Sequence, residues 1–196
     1  MSALAFFDSV RDSQGVFRAI LRAMSSPGTV VHAAAELAPP HGLSPAAAAA
    51  ILTLVDFETP LWIAPSFPGR AEVAAYLRFH TGAPFASTPE AAAFALVDTE
   101  LGTLTLRDFV QGTAEYPDRS AMVVAQVRAL SGGAPLRMVG PGVRGTAELA
   151  PRALPDDFVS QWRDNRATFP LGVDLILCAD DQIAALPRSL LLTGPA

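Results

Sequence analysis

The sequence predicts an α/β fold in a single domain spanning residues 1–196, with a mixed, mainly parallel sheet flanked by helices. Three observations predict it. Apolar runs of strand length alternate with helical patterns through most of the chain. Several runs, "AFALV", "AMVVAQV" and "GVDLILC", are almost wholly apolar, as strands covered on both faces are. Finally, 196 residues that are 51% apolar and 17% charged can build one core and do not describe a disordered chain.

Each element follows from local chemistry. Asp12 or Ser13 caps a first helix that places Val16, Phe17, Ile20, Leu21 and Met24 on one face, with Arg18 and Arg22 on another. Pro27-Gly28 stops it, because proline disfavours α geometry at Ser26 and glycine permits a tight reversal. Thr29 to Val31 reads as a short strand. Ser44-Pro45, a cap followed by a first-turn proline, starts an Ala-rich helix that runs to about Asp56. "PLWIA" is a buried strand closed by Pro65 and Pro68. Arg70 to His80 is helical, with Val73, Tyr76, Leu77 and His80 recurring on one side. "AFALV", "AMVVAQV" and "PLRMV" are strands. Pro155 to Thr168 is a helix with Phe158 and Trp162 inward. "GVDLILC" is a strand, Asp180-Asp181 caps a short helical turn, and "RSLLLT" forms a terminal strand.

Composition excludes several chemistries. All 14 basic residues are Arg, so the chain forms no Schiff base and holds no P-loop. The one cysteine, Cys178, allows no internal disulfide and no Cys-ligated cluster, and its apolar neighbours mark it as a buried hydrophobe. A net charge of −5 argues against a general grip on nucleic acid. The longest apolar run, Pro45 to Val55, is too short to cross a membrane, and the N-terminus lacks a basic leader, so a cytoplasmic location is expected. His32, His41 and His80 are scattered outside any ligand pattern, and neither metal nor cofactor is expected. There is no G-x-S-x-G elbow.

The remaining candidates are modest. "LRMVGPGVRG" follows a strand with Gly140, Gly142 and Arg144, which read either as a plain hairpin or as backbone N–H groups and a guanidinium presented to phosphate. The plain turn is favoured, since no helix follows. Asp156-Asp157 and Asp180-Asp181 read as helix caps. Asp56 and Glu58, with His80, outline a pocket only if the fold unites them. Asp174, flanked by apolar residues in a strand, is expected to pair with an arginine or a backbone donor. Arg119, Arg163 and Arg166 are further anion candidates, and no residue is assigned as catalytic.

"QGVFRAILRAMSSPGTV", "LVDFETPLWIAP", "YLRFHTGAP", "GTAEYPDRSAMVV", "GPGVRG", "FPLGVDLIL" and "LPRS" occur in an order that resembles the PhnH family, a subunit of the bacterial carbon–phosphorus lyase system. The resemblance covers nearly the whole chain. It implies a fold similar to the large domain of pyridoxal-phosphate (PLP)-dependent transferases, without that cofactor. It also implies a phosphonate-degrading assembly with PhnG, PhnI, PhnJ and PhnL. There, with PhnG, PhnI and PhnL, the subunit supports displacement of adenine from ATP and formation of alpha-D-ribose 1-methylphosphonate 5-triphosphate. The family supplies no catalytic residue to carry over. Arg18 and Arg22 are docking candidates, and a homodimer is expected of the isolated chain. Two other readings stay open: a nucleotide- or phosphate-binding subunit using the Gly140–Arg144 loop, and a stand-alone isomerase or hydrolase.

Overall fold

The structure is a computed structural model that describes residues 5–33, 37–101 and 104–194. Among the described residues, four α-helices, α1 (Ser9–Ser25), α2 (Pro45–Leu54), α3 (Arg70–Thr81) and α4 (Phe158–Ala167), accompany nine strands. The strands are β1 (Val31–His32), β2 (Leu61–Ile63), β3 (Phe94–Asp98), β4 (Met122–Gln126), β5 (Leu136–Val139), β6 (Ala147–Leu149), β7 (Asp174–Ala179), β8 (Gln182–Leu186) and β9 (Leu191–Thr193). The main sheet has the order β1-β8-β7-β4-β3-β2 and the small one β6-β5-β9. β2, β3, β4 and β7 run parallel, whereas β8 and β1 are antiparallel additions. The mainly parallel α/β expectation therefore holds.

The core depends on how closely α2 approaches the sheet. Ser44 caps α2 by accepting from the Ala47 N–H, and Pro45 occupies the first turn, as the sequence predicts. Ala46 to Ile51 are fully buried. Small side chains let this helix lie against β4 and β7 while α1 and α3 pack on its flanks. Every residue of β7 is buried, so both faces of the sheet are covered at its centre. On α4 the predicted inward residues Phe158 and Trp162 are buried, and the Trp162 indole N–H donates to the Leu190 carbonyl at 3.0 Å.

Five local expectations are corrected. Helix α1 begins earlier than Asp12: Asp8 is its cap, accepting from the Arg11 N–H at 3.0 Å. Its buried face is Val16, Ala19, Ile20 and Ala23, so Phe17 and Leu21 point to solvent. Hydrophobicity alone favours the large residues, but the close contacts of α1 with α2 and β8 select the alanines. His80 likewise lies on the outer side of α3. Asp180-Asp181 caps no helix; it is the two-residue turn of the β7–β8 hairpin, with Asp180 at φ 48°. Finally, Asp157 occupies the cap position of α4 without a cap bond, because its carboxylate accepts from Gln161 Nε2 at 2.8 Å.

The edges of the main sheet are short. β1 has two residues, and β2 has three whose outer backbone already bonds residues 84–86 (Leu61 N–H to Pro84 O, Ala86 N–H to Leu61 O). Enlarging the α2–sheet contact is expected to be costly. Ala48→Leu should lower unfolding free energy by about 1–3 kcal/mol in urea titration, since overpacking forces strained rotamers or backbone shifts.

Candidate functional site

The Gly140–Arg144 segment is the turn of an antiparallel β5–β6 hairpin, as the plainer reading expects. Its glycines have a structural reason. Gly142 has φ +81°, and a Cβ there would run into the Ser25 carbonyl oxygen and lie 3.0 Å from the Pro27 ring. Reciprocally, Gly28 has φ +88°, and a Cβ on it would lie 2.7 Å from Ala147 Cβ on β6. The Ser-Ser-Pro-Gly turn after α1 thus interlocks with the β5–β6 hairpin, Gly142 against the Ser25 backbone and Gly28 against the Ala147 methyl group. Arg144 is exposed at the rim of this joint and has no carboxylate partner among the described residues.

A second joint forms around Asp174, the first residue of β7. Its Oδ1 accepts from the Arg188 backbone N–H at 2.6 Å. Its Oδ2 accepts from Arg188 Nε at 3.0 Å and from Nη2 of the same guanidinium. Arg188 Nη1 donates to the Pro117 carbonyl at 2.8 Å. Both side chains are largely buried. The pairing expected for Asp174 is therefore present, made of bonds within the protein. Neighbouring Asn165 bridges the start of β7 in both directions, accepting from the Val173 N–H and donating to the Val173 carbonyl.

At the opposite end of the parallel strands, Asp98 and Gln126 close a third polar joint. Gln126 Nε2 donates to Asp98 Oδ2 at 3.0 Å and to the Gly42 carbonyl at 2.9 Å, and Gln126 Oε1 accepts from the Ser44 N–H at 2.8 Å. Asp98 Oδ1 accepts the Glu100 and Leu101 N–H groups. Sequence reasoning missed this cluster and the roles of Arg188 and Asn165. The only available signal was a polar residue ending each of two apolar strands.

The other candidates do not converge. His80 stacks edgewise on Tyr76 and Phe79, whose shielding lowers its pKa. Asp56 accepts from the Thr59 hydroxyl and the Glu58 N–H, and these bonds hold its carboxyl below the usual value. Among the described residues no hydrogen bond or ion pair joins His80 to Asp56. His32 meets Asp181 at 3.2 Å on the surface. Arg119 covers the Tyr116 ring, and Arg166 bonds the Ser189 carbonyl while covering Phe169. Arg163 faces a cleft of about 650 Å³ that Arg152 also lines. Arg18 and Arg22 are exposed on α1. Cys178 is fully buried, and burial pushes its thiol pKa up. Among the described residues no three His, Cys, Asp or Glu side chains gather to hold a metal, and no helix is long and apolar enough to cross a membrane.

The three joints draw on segments far apart in the sequence, and the first two unite phrases of the PhnH pattern. "SSPG" meets "GPGVRG", and "FPLGVDLIL" meets "LPRS" and "EYPDRS". Residues 4–193 match the family described as bacterial phosphonate metabolism protein (PhnH). The chain belongs to the PhnH family. It is 39% identical over 185 residues to a Rhizobium meliloti protein named alpha-D-ribose 1-methylphosphonate 5-triphosphate synthase subunit PhnH, covering 94% of this chain and 92% of that one. A Stutzerimonas stutzeri protein named putative C-P lyase subunit protein HtxG is 35% identical over 177 residues, covering 90% and 83%. Family membership thus extends across both sheets and all four helices.

Two outcomes check this geometry. Asp174→Ala leaves the largely buried Arg188 charge without its carboxylate, and should destabilise the fold by about 3 kcal/mol in chemical denaturation. Cys178 should resist a thiol reagent such as dithionitrobenzoate in the native protein and react stoichiometrically in denaturant.

Proposed function

We propose that this chain, a single PhnH-like domain over residues 1–196, is a subunit of a carbon–phosphorus lyase system in organic phosphonate catabolism. With PhnG, PhnI and PhnL it supports formation of alpha-D-ribose 1-methylphosphonate 5-triphosphate from ATP and methylphosphonate. PhnJ is a further partner, the assembly is cytoplasmic, and the isolated chain is a homodimer. The observation that carries the proposal is the 39% identity, over nearly the full length of both chains, to a relative named as a subunit of that synthase.

The chain's part in that reaction is to lend shape. Asp174, Arg188, Asp98, Gln126 and Asn165 are committed to bonds that hold the fold, and this supports a subunit without a catalytic set of its own. The fold is read as similar to the large domain of PLP-dependent transferases, a likeness that the covered, mostly parallel sheet supports. The residues do not suit that cofactor, because a chain without Lys has no side-chain amine to hold it. The one observation favouring a direct nucleotide contact is Arg144, which has no carboxylate partner among the described residues and follows the positive-φ Gly140 and Gly142.

Co-expression with PhnG, PhnI, PhnJ and PhnL tests the reading. The chain should co-purify with them in fixed ratio, and alone it should turn over neither ATP nor methylphosphonate. Failure to co-purify, or turnover by the isolated chain, overturns it. Calorimetry separates the second role: ATP binding to the isolated chain that is lost in Arg144→Ala would make the loop a phosphate contact.

A further inference from the structure

We infer that the outer face of α1 is a docking surface for an amphipathic helix with an acidic flank, contributed by a different subunit. The inference rests on the assembly role proposed above. Helix α1 buries one side on α2 and β8 and leaves a second apolar side uncovered. Val10, Phe17 and Leu21 are 66%, 45% and 51% exposed, and Phe7, just before the cap, is 98% exposed. Together with Gln14 they recur at alternating three- and four-residue spacing. At about 3.6 residues per turn this spacing makes one continuous stripe, the seam that a partner helix recognises. Isolated exposed apolar residues need no explanation, but an aligned row of this length marks an interaction surface.

The two borders of the stripe define what lies on it. On one side is an open groove of about 400 Å³, lined by Ser13, Gln14, Phe17, Arg18 and Thr53 of α2. The Thr53 hydroxyl is buried there and has no hydrogen-bond partner among the described residues, so it is available to a group entering the groove. On the other side lie Arg11 and Arg22, joined by Arg18, whose side chain also reaches the groove; the three fall on one flank of the helix and pair with no carboxylate among the described residues. Arg18 Nε bonds the Gln14 carbonyl at 3.1 Å, which holds its guanidinium along the stripe. Gln14 is the polar position in the row, a device that fixes register at some cost in affinity.

Charge decides between occupants. If a second copy packed antiparallel about a two-fold axis, the arginine flank of one helix would face the arginine flank of the other. A parallel pair would drive the arginines of each copy into the α2 groove of its mate, against the Arg18 that lines it. A different chain with Asp or Glu along one edge meets neither obstacle, and the arginines then set partner choice and approach rate. Phe17 and Leu21, which hydrophobicity alone assigns to the core, are on this reading held outward for the partner.

The test uses the full-length chain co-expressed with PhnG, PhnI, PhnJ and PhnL. Phe17→Glu with Leu21→Glu, and separately Arg11→Glu with Arg18→Glu and Arg22→Glu, should each retain the wild-type circular dichroism and reduce recovery of the assembly at least tenfold. Phe17→Ala with Leu21→Ala serves as a milder pair and should weaken recovery in the same direction. Undiminished recovery with the Phe17 and Leu21 variants overturns the surface while leaving the assembly role intact, and undiminished recovery with the arginine variant overturns the acidic partner. Failure of the wild-type chain to assemble removes the assembly role and this surface with it. A wild-type dimer that becomes monomeric in Phe17→Glu with Leu21→Glu assigns the face to a second copy and overturns the inference.

Discussion

The ion pair between Asp174 and Arg188 locates the passage of the chain from one sheet to the other. Asp174 opens β7, the centre of the main sheet, and Arg188 lies between β8, the last strand of that sheet, and β9, an edge of the small one. A carboxylate at the start of a fully covered strand is expensive unless its lone pairs are filled. Arg188 fills them with two guanidinium donors and its own backbone N–H, and its remaining arm reaches Pro117. That geometry fixes where residues 187–190 run, and with them the Leu190 carbonyl that receives Trp162 and orients α4. Once this corner is set, the small sheet is held at a defined place, and its β5–β6 loop can interlock with the turn after α1.

Much of this was legible in the sequence because the strongest signals are local. The Ser44-Pro45 start of α2, the apolar runs of β3, β4 and β7, and the inward Phe158 and Trp162 each follow from cap chemistry or periodicity, and each stands in the structure. The pairing of Asp174 followed from the cost of burying a charge. What failed were choices made by tertiary distance. "QIAAL" forms β8 because an Asp-Asp turn with a left-handed Asp180 folds it back onto β7, and an acidic pair after a strand reads equally well as a helix start. Helix α1 turned Val16, Ala19, Ile20 and Ala23 onto α2 and β8 and left Phe17 and Leu21 outside, a choice of face that periodicity alone did not make. The site was less legible than the fold. No residue type announces a site when the charged and amide groups inside the protein are spent on joints, and the surface arginines of α1 take their meaning from a partner.

Such joints explain why glycine, proline and arginine recur in the phrases that the family pattern is built from. Gly142 exists for close backbone approach and Gly28 for a close-lying Ala147 methyl group, Arg188 for a bidentate grip, and Gln126 and Asn165 for bridging backbone groups across elements. These are demands of assembly within the chain. They are met by residue types that elsewhere serve phosphate binding or acid–base chemistry, so motif reading alone points toward reactivity where the geometry supplies cohesion.

The two rims of the main sheet carry a consequence of their own. With β1 only two residues long and the outer backbone of β2 already engaged by residues 84–86, neither rim offers a run of free amides and carbonyls long enough to template an incoming strand. Ribbon-like growth from copy to copy is closed at both ends. The rims of the main sheet thus leave recognition by a larger machine to side-chain relief on the helices and loops around it, where it is set residue by residue.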